Sequence, residues 1–151
     1  MHNIVITDTS SLILFHKIGE LNILHNVYSN IITTKEIVEE FQEPLPSWIN
    51  VVEVKDKKYQ KSIETQIDIG EASAIALAQE TENPLLLLDD LKARKLAKKL
   101  NLKFTGTLGV IHKAKQMGVI KEVKPMIDKL LETNFRISKD VVSELLKLNN
   151  E

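Results

Sequence analysis

The chain has 151 residues, of which 43% are hydrophobic and 27% charged, and a formal net charge of -1. This length and composition are typical of one globular domain, which buries roughly 68 to 70% of its unfolded surface. The absence of cysteine excludes disulfides and thiolate metal sites, so that only oxygen or imidazole ligands are available for a metal. Without a targeting segment or an apolar run near the ~18 residues of a membrane span, we expect a cytoplasmic protein with no membrane partner.

The first half of the chain predicts short strands that alternate with helices. The apolar, β-branched run from Asn3 to Thr7 indicates a strand, and Asp8-Thr-Ser-Ser11 offers side chains that cap helix amino termini. Pro44 and Pro46 end a later helix. The predicted elements are a strand at 3–7, helices at 12–18 and 21–27, a strand at 31–32, a helix at 34–42, a strand at 51–54, and a helix or exposed connection at 55–66.

The second half predicts a buried helix followed by a buried strand. Alanines at alternate positions from Ala72 to Ala78 allow close packing, and Leu85-Leu-Leu-Leu88 is typical of a strand covered on both faces. The predicted elements are a helix at 70–79, a strand at 85–88, a helix with Ala93, Leu96, Ala97 and Leu100 on its inner face, a strand at 102–105, a helix ending near 117, and helices at 122–132 and 138–147. Parallel neighbours need crossover connections, so strands separated by helices predict an α/β domain with a mainly parallel sheet.

Basic residues are concentrated in one segment. Between Leu91 and Lys121 the chain has no Asp or Glu. The candidate RNA-binding residues in this segment are Lys92, Arg94, Lys95, Lys98 and Lys99. Such a segment suits the phosphate backbone of a nucleic acid, although a charge run is more often only a solvated helix face.

Acidic residues follow the predicted strands at one edge of the sheet. Asp8 follows the first strand, Asp89 and Asp90 follow the leucine-rich strand, and Glu71 begins the alanine-rich helix. Ligands of an open parallel sheet bind beyond the carboxyl ends of its strands, so we expect these carboxylates to converge. Carboxylates without cysteine or clustered histidine suit Mg²⁺ or Mn²⁺, and one or two such ions can activate water towards a phosphodiester.

Each acid also has an ordinary structural role to be weighed. Asp8 could cap a helix, Glu71 could favour a helix amino terminus through the dipole, and Asp90 could pair with Arg94. The adjacent Asp89 and Asp90 are harder to explain in this way, because neighbouring carboxylates at the end of a buried strand repel each other unless a cation is present. Either of the two could be the main metal ligand.

Other phosphate-handling classes fit the sequence less well. A haloacid-dehalogenase-like phosphatase needs an Asp two residues after the first, and Ser10 stands there. A receiver-type signalling domain has its acid pair early in the chain, whereas this pair comes late. The segment Gly106-Thr-Leu-Gly109 lacks the lysine of a phosphate-binding loop and the glycine spacing of a dinucleotide site.

Five segments together resemble PIN domains. The opening Ile4-Val-Ile-Thr-Asp8-Thr-Ser-Ser-Leu12 resembles their first strand. The later segments are Ile37-Val-Glu-Glu40-Phe41, Gly70-Glu71-Ala-Ser-Ala-Ile75-Ala-Leu-Ala78, Leu88-Asp89-Asp90-Leu-Lys-Ala-Arg94 and Gly106-Thr-Leu-Gly109. In order and spacing they are similar to a PIN subfamily related to VapC-type toxins. The resemblance implies a single PIN-like domain over 1–151, with a three-layer α/β/α fold around a mainly parallel sheet.

The resemblance also implies a function, a Mg²⁺- or Mn²⁺-dependent endoribonuclease. Asp8, Glu40, Glu71 and Asp90 would be its catalytic and metal-binding acids, with Asp89 as a neighbour or additional ligand. Cleavage of RNA would leave a 5′-phosphate and a 3′-hydroxyl. The expected partners are a second copy in a homodimer and a small antitoxin protein. The alternative is a PIN-like module that binds RNA or protein with little or no catalysis.

Overall fold

Apolar strands alternate with helices along residues 4–151, which are the residues that this computed structural model describes. The strands of this part are β1 (Ile4–Thr7), β2 (Ile31–Thr33), β3 (Ile49–Val51), β4 (Pro84–Leu87) and β5 (Lys103–Thr105). The helices are α1 (Thr9–Lys17), α2 (Asn22–Val27), α3 (Lys35–Phe41), α4 (Lys57–Ile63), α5 (Ile69–Gln79), α6 (Leu91–Lys99), α7 (Thr107–Gln116), α8 (Lys124–Leu131) and α9 (Lys139–Leu148). Asn3, where the apolar pattern of the first strand begins, lies outside the described residues. No helix in the described part is both long and apolar enough to cross a membrane.

The strands form one parallel sheet in the order β3-β2-β1-β4-β5. In this register Ile6 of β1 lies between Ile32 of β2 and Leu86 of β4. Helices flank the sheet, which confirms the predicted three-layer α/β/α fold with a parallel sheet. The chain runs outwards from β1 to β2 and β3 on one side, and through β4 and β5 on the other. The crevice of a doubly wound sheet therefore lies at the carboxyl ends of β1 and β4.

The core explains why β1 and β4 occupy the centre of the sheet. Ile6, Leu86 and Leu87 are completely buried, as a strand covered by helices on both faces requires. Helix α5 contacts both strands, and every side chain from 72 to 78 in it is buried. Each large aliphatic side chain buried here contributes about 1.5–3 kcal/mol to folding. The carboxyl ends of β1 and β4 are thus held firmly beneath the candidate site.

Two predicted boundaries in the first half of the chain need correction. The strand predicted at 51–54 is wrong, because β3 ends at Val51 and begins at Ile49. Ile49 is buried and pairs with Ile31 of β2, whereas Val52 and Glu53 are exposed beyond the end of the strand. The first helix begins at Thr9 rather than at residue 12, because the residue just before it acts as the cap.

The remaining elements lie close to their predicted positions. The ambiguous stretch 55–66 contains the helix α4, whose amino terminus is capped by Asp56 through the backbone N–H of Tyr59. On α6, Ala93 and Ala97 are completely buried, whereas Lys92 is exposed. This amphipathic arrangement agrees with the inner face predicted for that helix.

Candidate active site

Asp8 lies at the carboxyl end of β1 and has only 1% of its surface exposed. One carboxylate oxygen, Oδ1, accepts a hydrogen bond of 2.9 Å from the backbone N–H of Ser11 and so caps α1. The other, Oδ2, is buried and has no hydrogen-bond partner among the described residues. Burial raises the pKa of Asp8 from 3.8 to about 7, and the charge of Asp89 acts in the same direction. The capping role is real, but it leaves an unpaired buried oxygen whose ionisation is costly.

Asp89 follows β4 and joins three elements through its carboxylate. Oδ2 accepts a 2.6 Å hydrogen bond from the hydroxyl of Thr107 and a 3.2 Å bond from that of Ser11. Oδ1 accepts a 3.0 Å bond from the backbone N–H of Thr107. These bonds tie the end of β4 to the first turns of α1 and α7, and they already occupy both oxygens of Asp89.

Asp90 is exposed and begins α6. Its Oδ2 accepts a 2.9 Å hydrogen bond from the backbone N–H of Ala93. The pairing of Asp90 with Arg94 is wrong, because the Arg94 guanidinium lies 3.8 Å from Oδ1 of Asp89 instead. The capping bond engages one oxygen of this exposed residue, whereas hydrogen bonds engage both oxygens of Asp89.

Glu71 lies in the first turn of α5, close enough to other acids to be affected by their charges. Its pKa is raised mainly by burial, and further by the charges of Asp68, Asp90 and Glu40. The pKa of Glu40 is likewise raised by burial and then by Asp68. Acidic residues from the end of α3 and the starts of α5 and α6 therefore act on one another through their charges.

Asp68 belongs to this group, although sequence reasoning did not select it. It occupies the cap position of α5, yet its side chain makes no capping hydrogen bond there. A cleft of about 750 Å³ is lined by Asp68 together with Asp89 and Asp90. The sequence could have identified Asp68 from its position just before Gly70-Glu71. In such a fold, the start of a helix lies at the same edge of the sheet as the carboxyl end of a strand.

Gly70 explains how Glu40 reaches the edge from α3. A Cβ atom on Gly70 would collide with Oε1 of Glu40 and would lie 3.3 Å from Oγ1 of Thr9. The glutamate carboxylate therefore lies directly against the backbone of α5, in space that any other residue would fill. Oγ1 of Thr9 is a further buried oxygen without a hydrogen-bond partner among the described residues.

The donor chemistry of this edge fits a hard divalent cation. Carboxylate oxygens predominate, and Oδ2 of Asp8 is buried with no hydrogen-bond donor in the described part of the chain. Within residues 4–151, however, no three acidic or histidine side chains are close enough together to hold one ion at once.

The basic residues of α6 fall into two kinds. Lys92, Lys95, Lys98 and Lys99 are exposed to solvent. Arg94 instead donates a 2.7 Å hydrogen bond from Nε to the carbonyl oxygen of Leu88, and its guanidinium lies 5.3 Å from the centroid of the Phe104 ring. A Cβ on Gly106 would collide with this guanidinium, so the glycine leaves room for it. Arg94 is thus placed to hold the end of β4 and the carboxylate of Asp89.

A parallel sheet with carboxylates at the ends of its central strands defines an α/β protein with an acidic site at the switch point. The model of the family DUF3368, a PIN domain, matches residues 4–151. The chain therefore belongs to the PIN-domain family. No curated protein and no solved structure matches it. PIN domains are generally nucleases and typically use divalent metals, so nucleic acid is the substrate class that the family implies.

Proposed function

We propose that this protein is a Mg²⁺- or Mn²⁺-dependent endoribonuclease that hydrolyses the phosphodiester bonds of RNA. The observation that carries the proposal is Oδ2 of Asp8, a buried carboxylate oxygen at the carboxyl end of β1 that has no hydrogen-bond donor within residues 4–151. Glu71, Glu40 and Asp68 add carboxylates whose charges act on one another. Such a concentration of negative charge destabilises the fold unless a cation offsets it.

The residues have distinct roles in this proposal. Asp8, Glu71 and Asp90, with Glu40, would hold the ion, which when bound lowers the pKa of water and offsets negative charge on the phosphate. Asp89 is a positioning residue, because its hydrogen bonds to Thr107 and Ser11 fix the ends of the elements that carry the ligands. The exposed lysines of α6 would bind the RNA backbone, and Arg94 would act mainly by holding Asp89.

We place a partner protein at the same edge, as expected for a toxin of the VapC type with its small antitoxin. Ile69 and Leu91 are the first residues of α5 and α6, and they are 56% and 72% exposed. Exposed apolar side chains beside acidic ones suit a chain that carries both apolar and basic residues. The proposed assembly also includes a homodimer of this chain, which the molecular mass in solution tests.

One observation favours a second candidate, a PIN-like module that binds RNA or protein without cleaving it. In the described part of the chain, no three acids are arranged to hold an ion together. Under this alternative the carboxylates would cap α1 and α6, as Asp8 and Asp90 do. Binding would then persist without metal-dependent cleavage.

A cleavage assay with matched variants separates the two candidates. Purified protein is incubated with mixed RNA in Mg²⁺, in Mn²⁺ and in EDTA. Asp8→Asn removes the charge at the site, whereas Asp56→Asn makes the same change at the exposed cap of α4. We expect cleavage in either metal, none in EDTA, a loss of at least about 100-fold in Asp8→Asn, and full activity in Asp56→Asn. Cleavage in EDTA, or full activity of Asp8→Asn, would contradict the nuclease proposal.

A further inference from the structure

A second cleft, of about 600 Å³, adjoins the candidate active site through Asp89 and Arg94. It lies between β5, the start of α7 and the segment that joins α8 to α9. Its lining includes the apolar side chains Leu91, Phe104, Leu108, Phe135, Ile137 and Val141. The volume is within the ~300–1,000 Å³ typical of pockets for small organic groups.

Two phenylalanine rings, Phe104 and Phe135, line the cleft in different surroundings. The Phe104 ring lies under the Arg94 guanidinium, whose Cζ is 5.3 Å from the ring centroid. Phe135 is only partly buried, and in the described part of the chain it makes no contact with another aromatic ring. A partly exposed aromatic ring on an apolar wall is a surface on which a flat nucleobase can stack.

A positively charged side chain, that of Arg136, also lines the cleft. Arg136 is exposed and forms no salt bridge within residues 4–151. A guanidinium binds phosphate oxygens through paired hydrogen bonds. A wall for an uncharged ring and a guanidinium for an anion thus lie in one cleft that borders an acidic centre. This combination of charge and shape matches a nucleotide within a chain better than it matches an apolar peptide.

We propose that this cleft binds an unpaired nucleobase next to the phosphate to be cleaved, with the base stacked on Phe135 and a neighbouring phosphate on Arg136. The inference rests on the proposed nuclease function and requires that the base be unpaired, because bases inside a duplex are not free to enter a cleft. The segment between α8 and α9 would therefore bind a base of the substrate, whereas the lysines of α6 would bind only its phosphate backbone.

Binding of two matched probes in EDTA tests this site. One probe is a short single-stranded RNA, and the other is an abasic sugar–phosphate oligomer of the same length. We expect the wild type to bind the RNA about tenfold more tightly or better, as the loss of one stacked base implies. Phe135→Leu, which keeps an apolar side chain, should abolish most of this difference, whereas Phe135→Trp should retain it. Arg136→Gln should weaken binding of both probes by the same factor.

Met117→Ala removes an exposed apolar side chain outside the cleft and serves as the control. Equal binding of the two probes by the wild type, or no binding of either, would overturn the proposal, as would a Phe135→Leu variant that keeps the full preference for bases. A peptide or a second copy would then be the better occupant. Cleavage of the RNA in Mg²⁺ is measured separately: base-dependent binding without cleavage would contradict only the nuclease function, and cleavage without base-dependent binding would contradict only this site.

Discussion

At the scale of single residues, the site depends on carboxylates that also have structural roles. Asp8 caps α1 with one oxygen and leaves the other buried and unpaired among the described residues. Asp90 caps α6, whereas Asp89 connects β4 with α1 and α7. A structural role and a functional role are therefore not alternatives for Asp8. The observation that separates them is the second oxygen, which capping does not require.

The ionisation of Asp8 predicts how stability depends on pH in the absence of metal. Burial raises its pKa from 3.8 to about 7, so between these values the folded state keeps a proton that the unfolded state has lost. Stability therefore falls as the pH rises through this window and levels off above it, by on the order of 4 kcal/mol for this residue. Urea unfolding in EDTA from about pH 4.5 to about pH 8 should show this fall for the wild type and a flatter curve for Asp8→Asn.

The comparison uses the slope of the unfolding free energy against pH. The cost of burying an asparagine amide is the same at every pH, so it does not affect this slope. Glu40 and Glu71, whose pKa values are also raised by burial, are present in both proteins. Parallel curves for wild type and Asp8→Asn would mean that Asp8 does not titrate differently in the folded state.

Gly70 provides a test of Glu40 that keeps the glutamate in the chain but displaces its carboxylate. Gly70→Ala adds a methyl group where Oε1 of Glu40 now lies, and the flexible glutamate side chain would move aside. We expect the stability of the fold to change by less than about 1 kcal/mol, because alanine also favours the helix, while RNA cleavage falls at least about tenfold. The measurement is the cleavage rate of Gly70→Ala, of Glu40→Ala and of the double variant. Fully multiplicative losses would show that Gly70 does not act through Glu40.

At the scale of elements, α6 connects the acidic edge with the basic segment. Asp90 caps this helix, and Lys92 and Lys95 lie in its first turns. Lys98 and Lys99 lie in its last turn, on average about 7.5 Å further along the axis. The helix therefore allows a matched comparison between the near lysines, Lys92 and Lys95, which lie close to the acidic edge, and the far lysines, Lys98 and Lys99, which lie away from it.

Exchange of the near lysines should weaken RNA binding more than exchange of the far ones. For single-stranded RNA, removal of one lysine that binds a phosphate should reduce the slope of log affinity against log salt concentration by roughly 0.7. We expect Lys92→Gln with Lys95→Gln to reduce both affinity and slope, and Lys98→Gln with Lys99→Gln to change them less. Binding titrations over a range of salt concentrations measure this. If neither pair alters affinity or slope, the segment is only a solvated helix face.

At the scale of the whole molecule, the sheet and most of its acidic edge followed from the sequence because their signals are local. The apolar runs of β1 and β4 each end directly at an Asp, and the rule for open parallel sheets brings those ends together. The bounds of β3 were wrong because its three residues show no alternation, and its pairing with β2 decides where it begins. The partner of Arg94 was wrong because the i, i+4 rule takes no account of a cap that already engages Asp90.

Metal-dependent stabilisation is the most direct test of the central claim, that the unpaired oxygen of Asp8 is a metal ligand. Thermal melts are recorded in EDTA and over a Mn²⁺ series for the wild type, Asp8→Asn and Asp56→Asn. An ion at a hundred times its dissociation constant should stabilise the wild type by about 2.7 kcal/mol. We predict the same rise in melting temperature for Asp56→Asn and a much smaller one for Asp8→Asn at the same concentrations. An equal Mn²⁺-induced rise in Asp8→Asn and the wild type would contradict the claim.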